Sequence, residues 1–241
     1  GSTDQSASIV NSFTNALHIH YPERRGKSGA INRALPIIHE EIVVVSDANS
    51  FLNESALRHL VRPFNDEDIG VVAGEKRILP RETEKAAGSG EGVYWKYESL
   101  LKKWDSELFS VVGAAGELFA FRKNLVSTID ESIILEDFYI SLDLASKGFR
   151  TAYAPDAIAS EAASASIRAE LVRKIRIAAG GFQAMWRLRR LLNIFKYGIL
   201  SFQYISHRVL RWTLAPLGLI IVFIGSLALG INGYLFFQWL F

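Results

Sequence analysis

The chain has 241 residues, 49% hydrophobic and 22% charged, with a formal net charge of +2 and no cysteine. That length supports one or two domains with a real core; the ordinary charged fraction excludes a disordered chain, and the lack of Cys excludes a disulfide scaffold, a zinc–thiolate site and a cysteine nucleophile. The small net charge hides a split, with residues 1–167 at −7, residues 168–211 at +9 and residues 212–241 uncharged, the layout of a membrane-anchored protein rather than of a basic nucleic-acid binder.

In chain order, Ser6–Leu17 reads as a helix and His18–Tyr21 as a short strand. Lys27–Leu35 reads as a helix stopped by Pro36, and Ile42–Val45 as a buried β-branched strand. Glu54–Pro63 is a helix, Ile69–Ala73 a strand, Ala87–Leu108 a long polar–aromatic helix and Leu118–Arg122 a strand. Glu136–Lys147 is a helix ending at Gly148, and Thr151–Ala154 a last strand before Pro155. Alternating strands and helices predict an α/β layer fold with a mostly parallel sheet, whose ligands sit beyond the carboxyl ends of the strands.

The residues just past each strand are therefore the ones to weigh. Asp47 follows the Ile42–Val45 run, with Asn49 two residues on. Two hard oxygen ligands suit Mg²⁺ or Mn²⁺ carried with a diphosphate; the alternative is a helix cap. Upstream, Arg24–Leu35 mixes cations and glycines at a helix start, which can hold a phosphate or nucleotide edge, although the P-loop spacing is missing. Glu136 and Asp137 are adjacent carboxylates after an apolar run, placed either for proton abstraction or to favour the helix dipole. Between these lies Gly113-Ala114-Ala115-Gly116, where backbone can approach a sugar closely. Trp95, with Tyr94 and Tyr97, offers aromatic planes for sugar stacking, or one face of an amphipathic helix. His18 and His20 read as a surface or core pair rather than a metal site.

The order of these pieces resembles the family 2 glycosyltransferases of GT-A fold. It runs Lys27-x-x-Ala30-x-Asn32, Asp47-Ala48-Asn49, Gly113-x-x-Gly116, Glu136-Asp137, then a basic amphipathic helix and an apolar tail. The likeness is greatest to the membrane-bound processive branch that includes cellulose, chitin, hyaluronan and poly-N-acetylglucosamine synthases. By that resemblance Lys27 and Asn32 are nucleotide-side residues, Asp47 is the first metal-motif carboxylate and Asn49 stands where the second would be. Asp137 is the catalytic base beside Glu136; the acceptor-side candidates, Gly113, Gly116 and Trp95, rest on their own chemistry. Arg173 and Arg176 fall in the Gln-x-x-Arg-Trp position, with Arg173 for Gln and Ile177 for Trp. The family also has a strand and a nucleotide-contacting Asp before the position of Gly1, so the chain as it stands is expected to have reduced activity or none.

The resemblance implies an inverting transfer from a nucleotide sugar, a UDP-sugar by preference, to a saccharide or lipid-linked acceptor. A single transfer onto polyprenyl phosphate and a non-catalytic membrane scaffold are the competing readings. The expected organisation is a partial catalytic domain over 1–165, basic amphipathic interfacial helices over 166–211 and transmembrane segments over 212–241. Residues 213–230 have the length and apolarity of a membrane span, a turn comes next at 230–233, and Tyr234–Phe241 opens a second apolar segment. Arg208 and Arg211 before the span place the catalytic part in the cytoplasm of a bacterial-type cell membrane. The stripe through Ile175, Phe182 and Trp186, backed by arginines, suits an interfacial helix on anionic lipid.

Overall fold

A computed structural model describes residues 2–79, 89–162 and 166–228. In order, the elements are α1 (Ser6–Asn11), α2 (Gly26–Ala34), β1 (Ile42–Ser46), β2 (Phe51–Leu52), α3 (Ala56–Val61) and β3 (Ile69–Leu79). Next come α4 (Ser89–Leu108), β4 (Leu118–Arg122), α5 (Glu136–Ala145), β5 (Arg150–Ala162) and α6 (Ile167–Arg187). The chain forms two compact units, the first ending at Leu188 and the second beginning at Arg189.

The first unit is built on a five-stranded sheet in the order β1-β4-β3-β5-β2. Its period-2 pattern divides the apolar side chains between two faces. Phe119 and Phe121 of β4 and Val71 of β3 join Ile31 of α2, Leu35 just after it, and Ile140 and Leu144 of α5. Leu118, Ala120 and Val72, their alternates, join Ala56 and Leu60 of α3. The sheet is thus covered on both sides, an α/β layer architecture.

Three readings from sequence need correction. The sheet is mixed rather than mostly parallel: β4 pairs antiparallel with both β1 and β3, while β3 and β5 pair parallel. Hydrophobic runs report burial, not strand direction, so β4 could not be oriented from its composition. Residues 18–21 form no strand; α1 ends at Asn11, and the chain from Ser12 to Tyr21 is irregular and largely exposed, with the His18 and His20 rings 5.7 Å apart. Pro155 does not end the last strand: β5 continues to Ala162 because the register shifts between Tyr153 and Ile158, placing the proline in the irregularity.

In the second unit, α7 (Ile194–Tyr204), a π-helical turn, α8 (Leu210–Trp212) and α9 (Leu214–Ala228) succeed one another. Within them Ile194–Leu227 is a helical stretch long and apolar enough to cross a membrane. The turn at 230–233 and the apolar segment 234–241 lie outside the described residues.

Candidate active site

The site forms where the carboxyl end of β1 meets the amino end of β4, an adjacency that the antiparallel pairing creates. The chain leaves β1 at Ser46, and the Asp47 N–H donates to the Glu117 carbonyl at 3.3 Å. Opposite stands the first turn of α2, which carries Lys27. Its ammonium donates to Asp47 Oδ1 and to the Gly116 carbonyl, both at 2.6 Å, and lies 3.2 Å from Glu136 Oε1. Burial works against the charged form of Lys27, but the hydrogen bond to Asp47 and the attraction of Glu136 outweigh it and hold the ammonium above its ordinary range.

Asp137 closes the cluster from the start of α5. A Cβ added at Gly116 would stand 3.1 Å from Asp137 Oδ2 and 3.7 Å from Lys27 Nζ. That position is therefore the point at which the Lys27 ammonium and the Asp137 carboxyl approach each other. Burial, then the Glu136 carboxylate, push Asp137 up to about 7, a value matched to a base working near neutrality. The turn before β4 is tied to α5 as well: Ala114 N–H donates to Ser141 Oγ at 3.2 Å, and Ser141 Oγ donates to the Asp137 carbonyl at 2.9 Å. Gly113 has φ 92°, and a Cβ there would lie 2.3 Å from Phe138 Cδ2. Gly113→Ala is accordingly expected to cost about 1–3 kcal/mol from backbone strain alone, read by chemical unfolding, with further loss because Phe138 must move beside Asp137.

Lys27, Asp47, Gly116, Glu136 and Asp137 are brought together; the other residues singled out in the sequence are placed differently. Asn32 donates from Nδ2 to the Ile129 carbonyl at 2.7 Å and accepts from the Ile129 N–H at 2.8 Å, clamping the loop that leads to α5. Gly113 packs against a ring of its own chain. Asn49 is exposed beside Asp47. Arg173 pairs with Glu170 one turn away at 3.3 Å, and Arg176 is exposed on the same helix. The side chain of Trp95 lies outside the described residues.

A second ionic group adjoins the first and carries no signal in the sequence pattern. Lys76, 5% exposed, pairs with Glu117 and with Glu161, the latter at 2.9 Å, and Ser50 Oγ donates to Glu161 at 3.0 Å. Glu117 follows Gly116 directly, so this triad fixes the strand end on which both the Lys27 acceptor and the Asp47 N–H partner lie. Nothing in the charged run Glu75-Lys76-Arg77 marks its middle residue as buried; the place of Lys76 in the eleven-residue β3 does.

Among the described residues no three His, Cys, Asp or Glu side chains are grouped to hold a metal. Asp47, with Asn49 beside it, can supply one carboxylate and one amide oxygen, and Lys27 already occupies one oxygen of Asp47. That donor set fits a divalent ion which takes its remaining ligands from a diphosphate and water, and does not fit an all-protein cage.

Residues 9–180 match the family described as glycosyltransferase like family 2. Among curated relatives, a poly-beta-1,6-N-acetyl-D-glucosamine synthase of Staphylococcus aureus is 24% identical over 197 residues, covering 78% of this chain and 47% of its own. The O-antigen chain rhamnosyltransferase WbaN of Salmonella anatum is 25% identical over 166 residues, covering 65% and 52%. The chain thus spans about half the length of these relatives. Among solved structures, the mannosyltransferase PcManGT from Pyrobaculum calidifontis, in complex with GDP-Man and Mn²⁺, superimposes with a TM-score of 0.66 at 22% identity, covering 98% of this chain and 71% of that one. By the extent of that family match and the likeness in fold, the chain belongs to the glycosyltransferase-like family 2 and has a GT-A-like fold.

Proposed function

We propose that the protein is a membrane-bound inverting glycosyltransferase, moving a sugar from a nucleotide sugar, a UDP-sugar by preference, to a growing polysaccharide. The carrying observation is the single cluster in which Lys27 bridges Asp47 and Glu136 while Gly116 backs onto Asp137. Donor-side positive charge and a carboxylate with raised proton affinity stand within one short span, as displacement at an anomeric carbon requires. The acceptor hydroxyl oxygen forms the new bond to that carbon, the bond to the diphosphate breaks on the opposite side, and Asp137 takes the hydroxyl proton. Lys27 sets positive charge at the corner where the nucleoside diphosphate departs. Asp47 and Asn49 would hold Mg²⁺ or Mn²⁺, which supplies neutralising charge to the diphosphate. Arg173 and Arg176, on one face of α6, would add cations near the phosphates.

The relatives support the reading by what they are: a polysaccharide synthase, an O-antigen transferase and a mannosyltransferase solved with GDP-Man and Mn²⁺. The apolar stretch Ile194–Leu227 supports the membrane location. So do the exposed Leu171, Ile175, Phe182 and Trp186, which recur at helical spacing on α6 among its basic residues. The test is turnover of labelled UDP-N-acetylglucosamine, UDP-glucose and GDP-mannose by the full-length protein in membranes, with product sizing. A polymer made by the wild type and not by Asp137→Asn is the expected result. A single labelled glycolipid replaces the polysaccharide acceptor with polyprenyl phosphate, and neither turnover nor UDP binding marks a scaffold. Asn49→Asp restores a second carboxylate, and Mn²⁺ affinity measured calorimetrically in the presence of UDP is expected to rise roughly tenfold, about 1.4 kcal/mol.

A further inference from the structure

The segment 129–135, which delivers the chain into Glu136 and Asp137, has no regular secondary structure of its own. Its backbone groups are nevertheless held by side chains from two helices. From α2, Asn32 takes both polar groups of Ile129, and Ser28 Oγ donates to the Ile133 carbonyl at 3.2 Å. From α6, Gln183 Oε1 accepts from the Ile134 N–H at 3.0 Å and Gln183 Nε2 donates to the Ser132 carbonyl at 2.7 Å. Arg187, one turn on, donates to Asp130 Oδ2 at 2.8 Å and to Ser132 Oγ at 2.7 Å. One turn before Gln183, a Cβ at Gly180 would stand 2.6 Å from Leu135 Cγ and 2.9 Å from Ile134 Cγ2. Glycine, glutamine and arginine at i, i+3 and i+7 thus form one gripping face. The exposed Leu171, Ile175, Phe182 and Trp186 lie on another face of the same helix.

We propose that Gln183 is a positioning residue for sugar transfer: its carboxamide fixes the Ser132–Ile134 backbone two residues ahead of the Glu136–Asp137 pair, and so sets where the base stands relative to the Lys27–Asp47 corner. The inference rests on the assignment of Asp137 as the base. Asn32 and Ser28 come from the helix that also carries Lys27, so the α2 grip moves with the donor side. Gln183 comes from α6, two turns or more beyond the Arg173 and Arg176 proposed for the phosphates, and its own contacts are with the Ser132–Ile134 backbone on the base side. Its loss is therefore expected to lower kcat and to leave donor affinity intact. An error of about 1 Å in a reacting group costs up to roughly 100-fold.

The experiment measures kcat and donor KM of the full-length protein in membranes, with whichever of UDP-N-acetylglucosamine, UDP-glucose and GDP-mannose it turns over. UDP binding and hydrogen exchange of the 129–138 segment are followed in parallel. Gln183→Leu is expected to reduce kcat roughly 10- to 100-fold, to keep donor KM and UDP affinity within about twofold, and to speed exchange in the segment. Gln183→Glu keeps the acceptor for the Ile134 N–H and loses the donor to Ser132; it is expected to fall between the two, a rescue that a bulk structural role does not produce. An unchanged kcat, or a loss carried by donor KM, overturns the inference. So does unchanged exchange. Should Gln183→Leu fail to fold, Gln183→Glu decides by the same criteria. Asp137→Asn separates the two levels: if it is inactive while Gln183→Leu turns over normally, only the positioning role falls, whereas wild-type activity in Asp137→Asn removes the base assignment itself.

Discussion

Asp137→Asn is expected to reduce sugar transfer by about 10²- to 10⁴-fold, the usual contribution of a positioned general base, with UDP binding retained. The amide is nearly isosteric and cannot accept the hydroxyl proton. The structure adds a second, opposite expectation for the same variant. Burial and Glu136 raise Asp137 from an ordinary carboxylate value to about 7. A carboxyl whose folded-state pKa is raised binds more protons folded than unfolded, so its contribution to stability falls as pH rises from near 4 to about 7. A neutral amide removes that penalty, and Asp137→Asn is expected to melt at or above the wild-type temperature at pH 8. Loss of activity with no loss of stability separates chemistry from folding. In the free wild-type protein, kcat/KM is expected to rise with pH through a midpoint near 7, and a pH–rate series checks it.

How much of this could be read in the sequence depends on the range of the interaction. The carboxylates of α5 and the Asp47 turn were legible because each sits directly after an apolar run, where local pattern and position agree. What binds them to each other was not: the Lys27 bonds to Asp47 and Gly116 span 20 and 89 positions in sequence. Asn32 illustrates a different limit. The resemblance assigns it to the nucleotide, yet both ends of its carboxamide hold the backbone of Ile129, 97 positions away. An amide that holds a loop backbone and one that touches a ligand look alike in sequence. Gln183 gave no signal at all, since a glutamine in an amphipathic helix is ordinary. The direction of β4 was hidden for the same reason as its register: both are set by partners remote in the chain.

Lys76→Met is expected to destabilise the fold by about 3–5 kcal/mol, the cost of leaving buried charge without its counter-ion. The methionine fills a similar volume, so the loss is electrostatic rather than steric. Lys76 sits between Glu117 and Glu161, whose side chains are only 17% and 10% exposed. Burial alone would push Glu117 up; the attraction and hydrogen bond of Lys76 outweigh it and hold the carboxyl below its ordinary range. In the wild type this group therefore contributes stability above its unfolded pKa, which is lost as pH falls through the folded value. Without Lys76 only a backbone hydrogen bond and the attraction of Lys102 still oppose the desolvation, so the folded pKa is expected to move upward and acid to relieve the strain. The stability gap between variant and wild type is thus expected to be widest near pH 7 and to narrow toward pH 5, in urea titrations at the two pH values. Activity should fall with it in whatever fraction remains folded, because the Glu117 carbonyl accepts from the Asp47 N–H and the preceding Gly116 carbonyl accepts from Lys27. Adding Glu117→Gln to Lys76→Met removes one of the two stranded charges and is expected to recover part of the lost stability, a non-additivity characteristic of groups in direct contact.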